Sequence, residues 1–243
     1  MNAPSEAPRR VHLRADDGTD LAGDEIAGAA PSLLFLHGLA STRIGDKSTS
    51  LLAFARTHRL GLLRLDMRGH GESTGKLQDM TLTGLVADAR AALDHLGRAW
   101  IVGSSLGGLV GAWLAATEPQ RVEGLVLLAP AFGFLRRMGA RPRHGNHIVI
   151  DSAFVRVEVH ERVLEDARRW PEAELGARLS MPTLIVHGAC DDVVPAGDSE
   201  QLFAQIPHAR KDLWLVPEGD HRLQAHVEAV WPRMQRLMHG ASV

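Results

Sequence analysis

At 243 residues the chain can build one large domain with a sizeable core, and a hydrophobic content of 45% is ordinary for a globular protein. A formal net charge of −2 does not suggest nucleic acid or an anionic membrane as a partner. One cysteine, Cys190, excludes an intrachain disulfide and a Cys-rich metal site.

Apolar runs of strand length alternate with helical patterns along the chain. Residues 11–14 and 21–26 flank Asp17-Gly18 and predict an opening hairpin. Residues 33–36 predict a buried strand. Residues 47–57 have helical spacing, with Leu51, Leu52, Phe54 and Ala55 on the apolar side. A strand over 61–65 follows, then an amphipathic helix over 82–96 carrying Leu82, Leu85, Val86, Ala89 and Leu93 at helical intervals. Next come a strand over 99–102, a small-residue helix over 106–117 and a strand over 124–128. A strand over 183–186, a helix over 198–205, a strand over 212–216 and a helix over 224–238 complete the pattern. This alternation predicts a mostly parallel sheet with helices on both faces. Residues from about 131 to 180 break the rhythm. They are rich in arginine (Arg136, Arg137, Arg141 and Arg143), and a helix over 158–170 is their clearest expected element. About 50 residues make a poor independent core, so the segment reads as an excursion from the strand ends within one domain spanning 1–243.

The chemistry concentrates in Gly103-Ser104-Ser105-Leu106-Gly107, which fits Gly-x-Ser-x-Gly between a predicted strand and a predicted helix. In that setting the motif forms a nucleophile elbow, whose turn is too tight for side chains at the two glycines. Ser105 then projects its hydroxyl at a helix N-terminus, where developing negative charge is stabilised. A serine hydroxyl is a weak nucleophile near neutral pH and needs a base, which in turn needs an orienting carboxylate. Both partners stand at later strand ends. The strand over 183–186 runs into His187-Gly188-Ala189-Cys190-Asp191-Asp192, and the strand over 212–216 runs into Pro217-Glu218-Gly219-Asp220-His221. Ends of neighbouring parallel strands converge on one side of a sheet. His221 is the expected base and Asp191 the expected acid, with Asp192 as the adjacent alternative. The expected oxyanion donors are the backbone N–H of Leu106, after the nucleophile, and that of Leu39, in the His37-Gly38-Leu39-Ala40 loop after the strand over 33–36.

Other features take plainer readings. Asp66 to Ser73 reads as a structural turn bracing the same face, and His37 as a structural strand-end residue. His144, His147 and His160 lack a metal-ligand spacing, so solvent-facing histidines and no metal are expected. Cys190 sits among acids, which disfavour a reactive thiolate. The arginines of 131–180 read as solvated, with contact to an anionic substrate group as the alternative. Phe132, Phe134, Leu135, Met138 and Phe154 are the candidate pocket residues. No stretch approaches the roughly 18 apolar residues of a membrane span, and the polar N-terminus has no apolar segment to act as a signal. A cytoplasmic location is therefore the expectation.

Together these residues resemble the α/β-hydrolase fold superfamily over nearly the whole chain. The match rests on His37-Gly38, the Asp66–Ser73 turn, the Gly103–Gly107 elbow, His187-Gly188 with Asp191 and Pro195, and Asp220-His221. More narrowly, Gly103 to Gly108, Asp191 to Pro195 and Asp220-His221-Arg222 resemble the branch of palmitoyl-protein thioesterases and acyl-glucuronide esterases. The resemblance implies an α/β-hydrolase fold with a short cap insertion over about 131–180, a small-molecule acyl ester or thioester as substrate, and no cofactor. The expected activity is serine-hydrolase cleavage of carboxylic esters or thioesters through an acyl-enzyme. A cofactor-free perhydrolase, a C–C bond hydrolase and a low-turnover ligand-binding member of the fold are the alternatives. A short excursion also implies an open site.

Overall fold

A computed structural model describes residues 7–152 and 154–240. The chain opens with a hairpin of β1 (Arg9–Arg14) and β2 (Asp20–Ile26), turned at Gly18, whose φ is 86°. Then follow β3 (Ala29–Leu36), α1 (Asp46–His58), β4 (Leu60–Leu65), α2 (Leu82–Leu96), β5 (Ala99–Ser104), α3 (Leu106–Thr117) and β6 (Val122–Leu128). After residues 131–180 come β10 (Thr183–Gly188), α6 (Ala196–Gln205), β11 (Lys211–Val216) and α7 (Val227–Met238), with β7–β9 belonging to the intervening segment.

The main sheet has eight strands in the order β1-β2-β4-β3-β5-β6-β10-β11. Only β1–β2 and β2–β4 pair antiparallel; the other neighbours run parallel. Parallel strands covered on both faces must be apolar on both, and β5 and β10 are buried at every position. Successive side chains go to opposite faces. Leu34, Leu36 and Ile101 pack on one side with Leu85, Ala89 and Leu93 of α2 and Leu109 and Trp113 of α3. Leu33, Phe35, Trp100 and Val102 pack on the other with Leu51, Leu52, Phe54 and Ala55 of α1 and Trp231 and Met234 of α7. The apolar side predicted for α1 is therefore the one it buries. Among the described residues no helix is long and apolar enough to cross a membrane.

Residues 131–180 hold α4 (Phe134–Met138), a three-stranded antiparallel sheet of β7 (Arg143–His144), β8 (His147–Asp151) and β9 (Arg156–His160), and α5 (Arg162–Ala167). This corrects the helix expected over 158–170. Val157 and Val159 alternate with Arg156, Glu158 and His160, a period of two, and β9 pairs with β8 in the register Ile148↔Val159 and Ile150↔Val157. Within 158–170 only residues 162–167 are α-helical. The segment is tied to the main body at Trp170, whose indole N–H donates to Thr83 Oγ1 at 2.9 Å and whose ring meets Trp113 edge-on at 5.1 Å.

Candidate active site

Ser105 stands between β5 and α3 with φ 51° and ψ −115°, a conformation a non-glycine residue holds only under compulsion from its surroundings. The compulsion is visible at its neighbours. A Cβ on Gly103 would lie 2.4 Å from the carbonyl oxygen of Gly107, and one on Gly107 would lie 2.2 Å from that of Leu36. The turn is thus as tight as the pentapeptide implied, and it seats α3 against the end of β3.

Ser105 and His221 lie 116 residues apart in sequence, yet His221 Nε2 is 3.0 Å from Ser105 Oγ. His221 Nδ1 is 2.7 Å from Asp191 Oδ2. A carboxylate facing Nδ1 draws the ring proton there, leaving Nε2 free to accept the serine O–H. The loops carrying Asp191 and His221 can touch because Gly188 has no side chain: a Cβ there would lie 2.2 Å from the carbonyl oxygen of Gly219. Asp191 is the carboxylate brought to His221, whereas Asp192 is exposed.

The Asp191 side chain is fully enclosed and accepts four hydrogen bonds. Oδ1 takes the backbone N–H groups of Val193 at 2.9 Å and Val194 at 2.8 Å; Oδ2 takes His221 and His187 Nε2, the latter at 3.1 Å. Burial by itself raises a carboxyl pKa, but the bonds from His187, His221 and Val194 outweigh it and hold Asp191 well below the usual carboxylate range. His187 was quoted in the motif without a role. It is fully buried, its Nε2–H is shared between Asp191 and the carbonyl of Val194 at 3.0 Å, and its Nδ1 is 2.7 Å from the Ser199 hydroxyl.

The loop after β3 passes directly over the serine. A Cβ on Gly38 would sit 3.3 Å from Ser105 Cβ. Among the described residues the N–H groups of Leu39 and Leu106 have no hydrogen-bond partner, and both residues line the cavity at Ser105. Two buried histidines shape this loop. His37 donates through Nδ1 to the Gly38 carbonyl at 2.7 Å and accepts from Met67 N–H at 3.1 Å. His70 accepts from Ala40 N–H at 3.1 Å and donates to the Arg68 carbonyl at 2.9 Å. Each ring nitrogen is already committed in the neutral form. Burial, reinforced by the adjacent His70, pushes His37 down to about 4, and burial also lowers His70. The Asp66–Ser73 turn braces the loop further: buried Asp66 accepts from Arg43 N–H at 2.7 Å and pairs with the Arg43 guanidinium, which also meets Glu72 at 2.9 Å.

A cavity of about 560 Å³ opens over Ser105, and Phe134 and Phe154 are among the residues that line it. Phe132, Leu135 and Met138 do not. Consecutive residues of the short α4 point about 100° apart. Leu135 of α4, with Phe132 just before that helix, lines a separate cavity of about 530 Å³ beside α5 and α6, and Met138 is fully buried in the core. The walls over Ser105 also include Ile150, Ser152 and Val155, together with Lys47, for which no site role was expected, and Arg141, one of the arginines with contact to an anionic substrate group as the alternative reading. The Lys47 ammonium donates to Ser104 Oγ at 2.9 Å. Among the described residues no group of three or more His, Cys, Asp or Glu side chains is gathered that could hold a metal ion.

The parallel sheet, the strained serine between β5 and α3, and loops from three other strand ends meeting it define an α/β hydrolase. Comparison with known proteins agrees: the profile of the α/β-hydrolase fold matches residues 31–156, and the chain belongs to that family. Residues 172–228 match the profile of the serine aminopeptidase S33 family. The palmitoyl-protein thioesterase ABHD10, mitochondrial, of Bos taurus is 26% identical over 225 residues, covering 87% of this chain and 74% of its own. An uncharacterized protein of Mycobacterium tuberculosis is 32% identical over 229 residues, covering 88% and 73%. Among solved structures, α/β-hydrolase domain-containing protein 10 from mouse superposes with a TM-score of 0.83 at 23% identity, covering 96% of this chain and 99% of that one.

Proposed function

We propose that the protein is a serine hydrolase that cleaves carboxylic esters or thioesters through an acyl-enzyme. The observation that carries the proposal is the continuous hydrogen-bonded line Ser105 Oγ–His221 Nε2, His221 Nδ1–Asp191 Oδ2, at 3.0 and 2.7 Å. Ser105 Oγ attacks the acyl carbonyl carbon and passes its proton to His221 Nε2. Asp191 fixes the imidazole tautomer and stabilises the imidazolium that forms. The tetrahedral oxyanion takes the free N–H groups of Leu39 and Leu106 at the N-terminus of α3. His221 returns the proton to the departing alcohol or thiol, and water then repeats the sequence to release the acid. Residues 131–180 act as a cap that supplies Phe134, Phe154 and Ile150 as apolar wall for the acyl group. The palmitoyl-protein thioesterases among the relatives support a thioester or ester as the scissile bond.

A fluorophosphonate probe is expected to label the protein at Ser105, and Ser105→Ala to lose both the label and about 10⁴- to 10⁶-fold in kcat on p-nitrophenyl esters. Labelling that survives in Ser105→Ala defeats the assignment.

A further inference from the structure

Four charged side chains line the cavity over Ser105: Asp46, Lys47, Arg141 and Arg222. Two of them answer each other. Arg222 faces Asp46 at 3.5 Å, and Gln224 also donates to Asp46 at 3.0 Å. The other two have no counter-charge. Among the described residues neither Lys47 nor Arg141 forms an ion pair; Lys47 donates only to the neutral Ser104 hydroxyl, and Arg141 Nε is buried with no hydrogen-bond partner. Three nearby arginines of the same segment are spent. Arg136 and Arg137 both pair with Asp198, and Arg143 pairs with Glu161. Arg141 is thus set apart from its neighbours by position and by lack of a partner.

A cation held in a largely apolar cavity without a partner is costly, and the cost is recovered when a bound anion supplies the missing charge. Lys47 shows the cost directly: burial pushes its ammonium down to about 8. Asp220 opposes that shift first, then Arg222 adds to it, while Asp191 and Asp46 work against it. Those carboxylates also repel a highly charged ligand, so a monoanion suits the site better than a phosphate dianion.

We propose that this cavity takes ester or thioester substrates that carry a carboxylate, which hydrogen-bonds the ammonium of Lys47 while Arg141 provides the second positive charge in the cavity. The proposal deepens the serine-hydrolase reading and rests on it. Lys47, the Ser104 to which it donates, and Ser105 line one cavity, so the carboxylate lies within the same substrate molecule as the scissile bond.

Two pairs of esters test it. In the first, the p-nitrophenyl ester of adipic acid, with its free carboxylate, is compared with its methyl-capped form. In the second, the butyrate ester of 4-hydroxybenzoate is compared with that of methyl 4-hydroxybenzoate. The ratio of kcat/KM, anionic over neutral, is expected to favour the anion by about tenfold or more in one pair, the worth of a hydrogen bond to a charged group. The pair that shows it identifies the acyl half or the leaving half as the carrier. In Lys47→Met the ratio is expected to fall to near one whatever happens to either rate alone, and Lys47→Arg to restore it. In the parent protein it is expected to fall as pH rises through about 8, where the ammonium loses its proton. A ratio near one in both pairs, or one untouched by Lys47→Met, overturns the anion site. If neutral esters still turn over and a fluorophosphonate still labels Ser105, the hydrolase reading survives that result. If nothing turns over and nothing is labelled, both readings fall.

Discussion

His187 offers a graded test of how the site is held. Its Nε2–H reaches Asp191 Oδ2 at 3.1 Å, while Asp191 keeps three other donors: His221 and the N–H groups of Val193 and Val194. Removing His187 therefore leaves an ionised and anchored acid that has lost one of four restraints. A hydrogen bond to a charged group contributes about 1.5–3 kcal/mol, and the remaining donors recover part of it. His187→Leu is thus expected to lower kcat about tenfold with KM little changed, far short of the roughly 10⁴-fold loss that follows damage to the orienting acid itself. It also leaves the Ser199 hydroxyl and the Val194 carbonyl without their partner, so thermal stability should fall by about 2 kcal/mol. In His187→Gln the amide nitrogen reaches the place of Nε2 and should restore most of kcat. The assay is steady-state hydrolysis of p-nitrophenyl butyrate at 25 °C, well below the melting temperature of each variant. If both variants melt lower but keep the parent kcat, His187 does not position Asp191 and the reasoning fails.

Two further outcomes follow from the geometry of the elbow and its neighbouring loop. Gly107→Ala places a Cβ 2.2 Å from the Leu36 carbonyl and 2.5 Å from that of His37. Backbone at a parallel strand end cannot step aside as a side chain can, so the loss by chemical denaturation should exceed the roughly 1–3 kcal/mol of ordinary overpacking. An unchanged denaturation midpoint would show that the elbow has room. For pH, His37 goes from 6.5 when unfolded to about 4 when folded, so the unfolded chain binds more protons between those values. Stability should accordingly fall as pH drops from about 6.5 toward 4, with His37 responsible for up to about 3 kcal/mol. His37→Gln should flatten that slope in urea titrations at pH 7 and pH 5, and an equally steep slope in the variant would refute the buried neutral histidine.

Much of the fold was legible because it is written in local periodicity. The buried face of α1, the amphipathic α2 and the apolar run that opens β5 follow from side-chain spacing over about fifteen residues or fewer. The exception was β9, where Val157 and Val159 carry a two-residue period inside a longer stretch that also suits a helix. Pairing with β8 decided it, and that pairing is not local. Three of the candidate pocket residues, Phe132, Leu135 and Met138, lie elsewhere for a similar reason. Phe132, Phe134, Leu135 and Met138 are equally apolar in sequence, and only the tertiary placement of α4 and of the turn before it sends Phe134 to one cavity, Phe132 and Leu135 to another, and Met138 to the core.

The sequence alone determined the elbow, because a turn that admits no Cβ at Gly103 or Gly107 needs glycine at both positions. It determined as well the order in which serine, acid and histidine arrive, since each ends or follows an apolar run. Tertiary structure decided which side chains meet. It chose Asp191 over its neighbour Asp192, put His187 behind Asp191, and left Lys47 and Arg141 unpaired in one cavity although they are 94 residues apart in the chain (141 − 47). Those choices depend on how loops from separate strands converge at one edge of the sheet, and no local spacing carries that information.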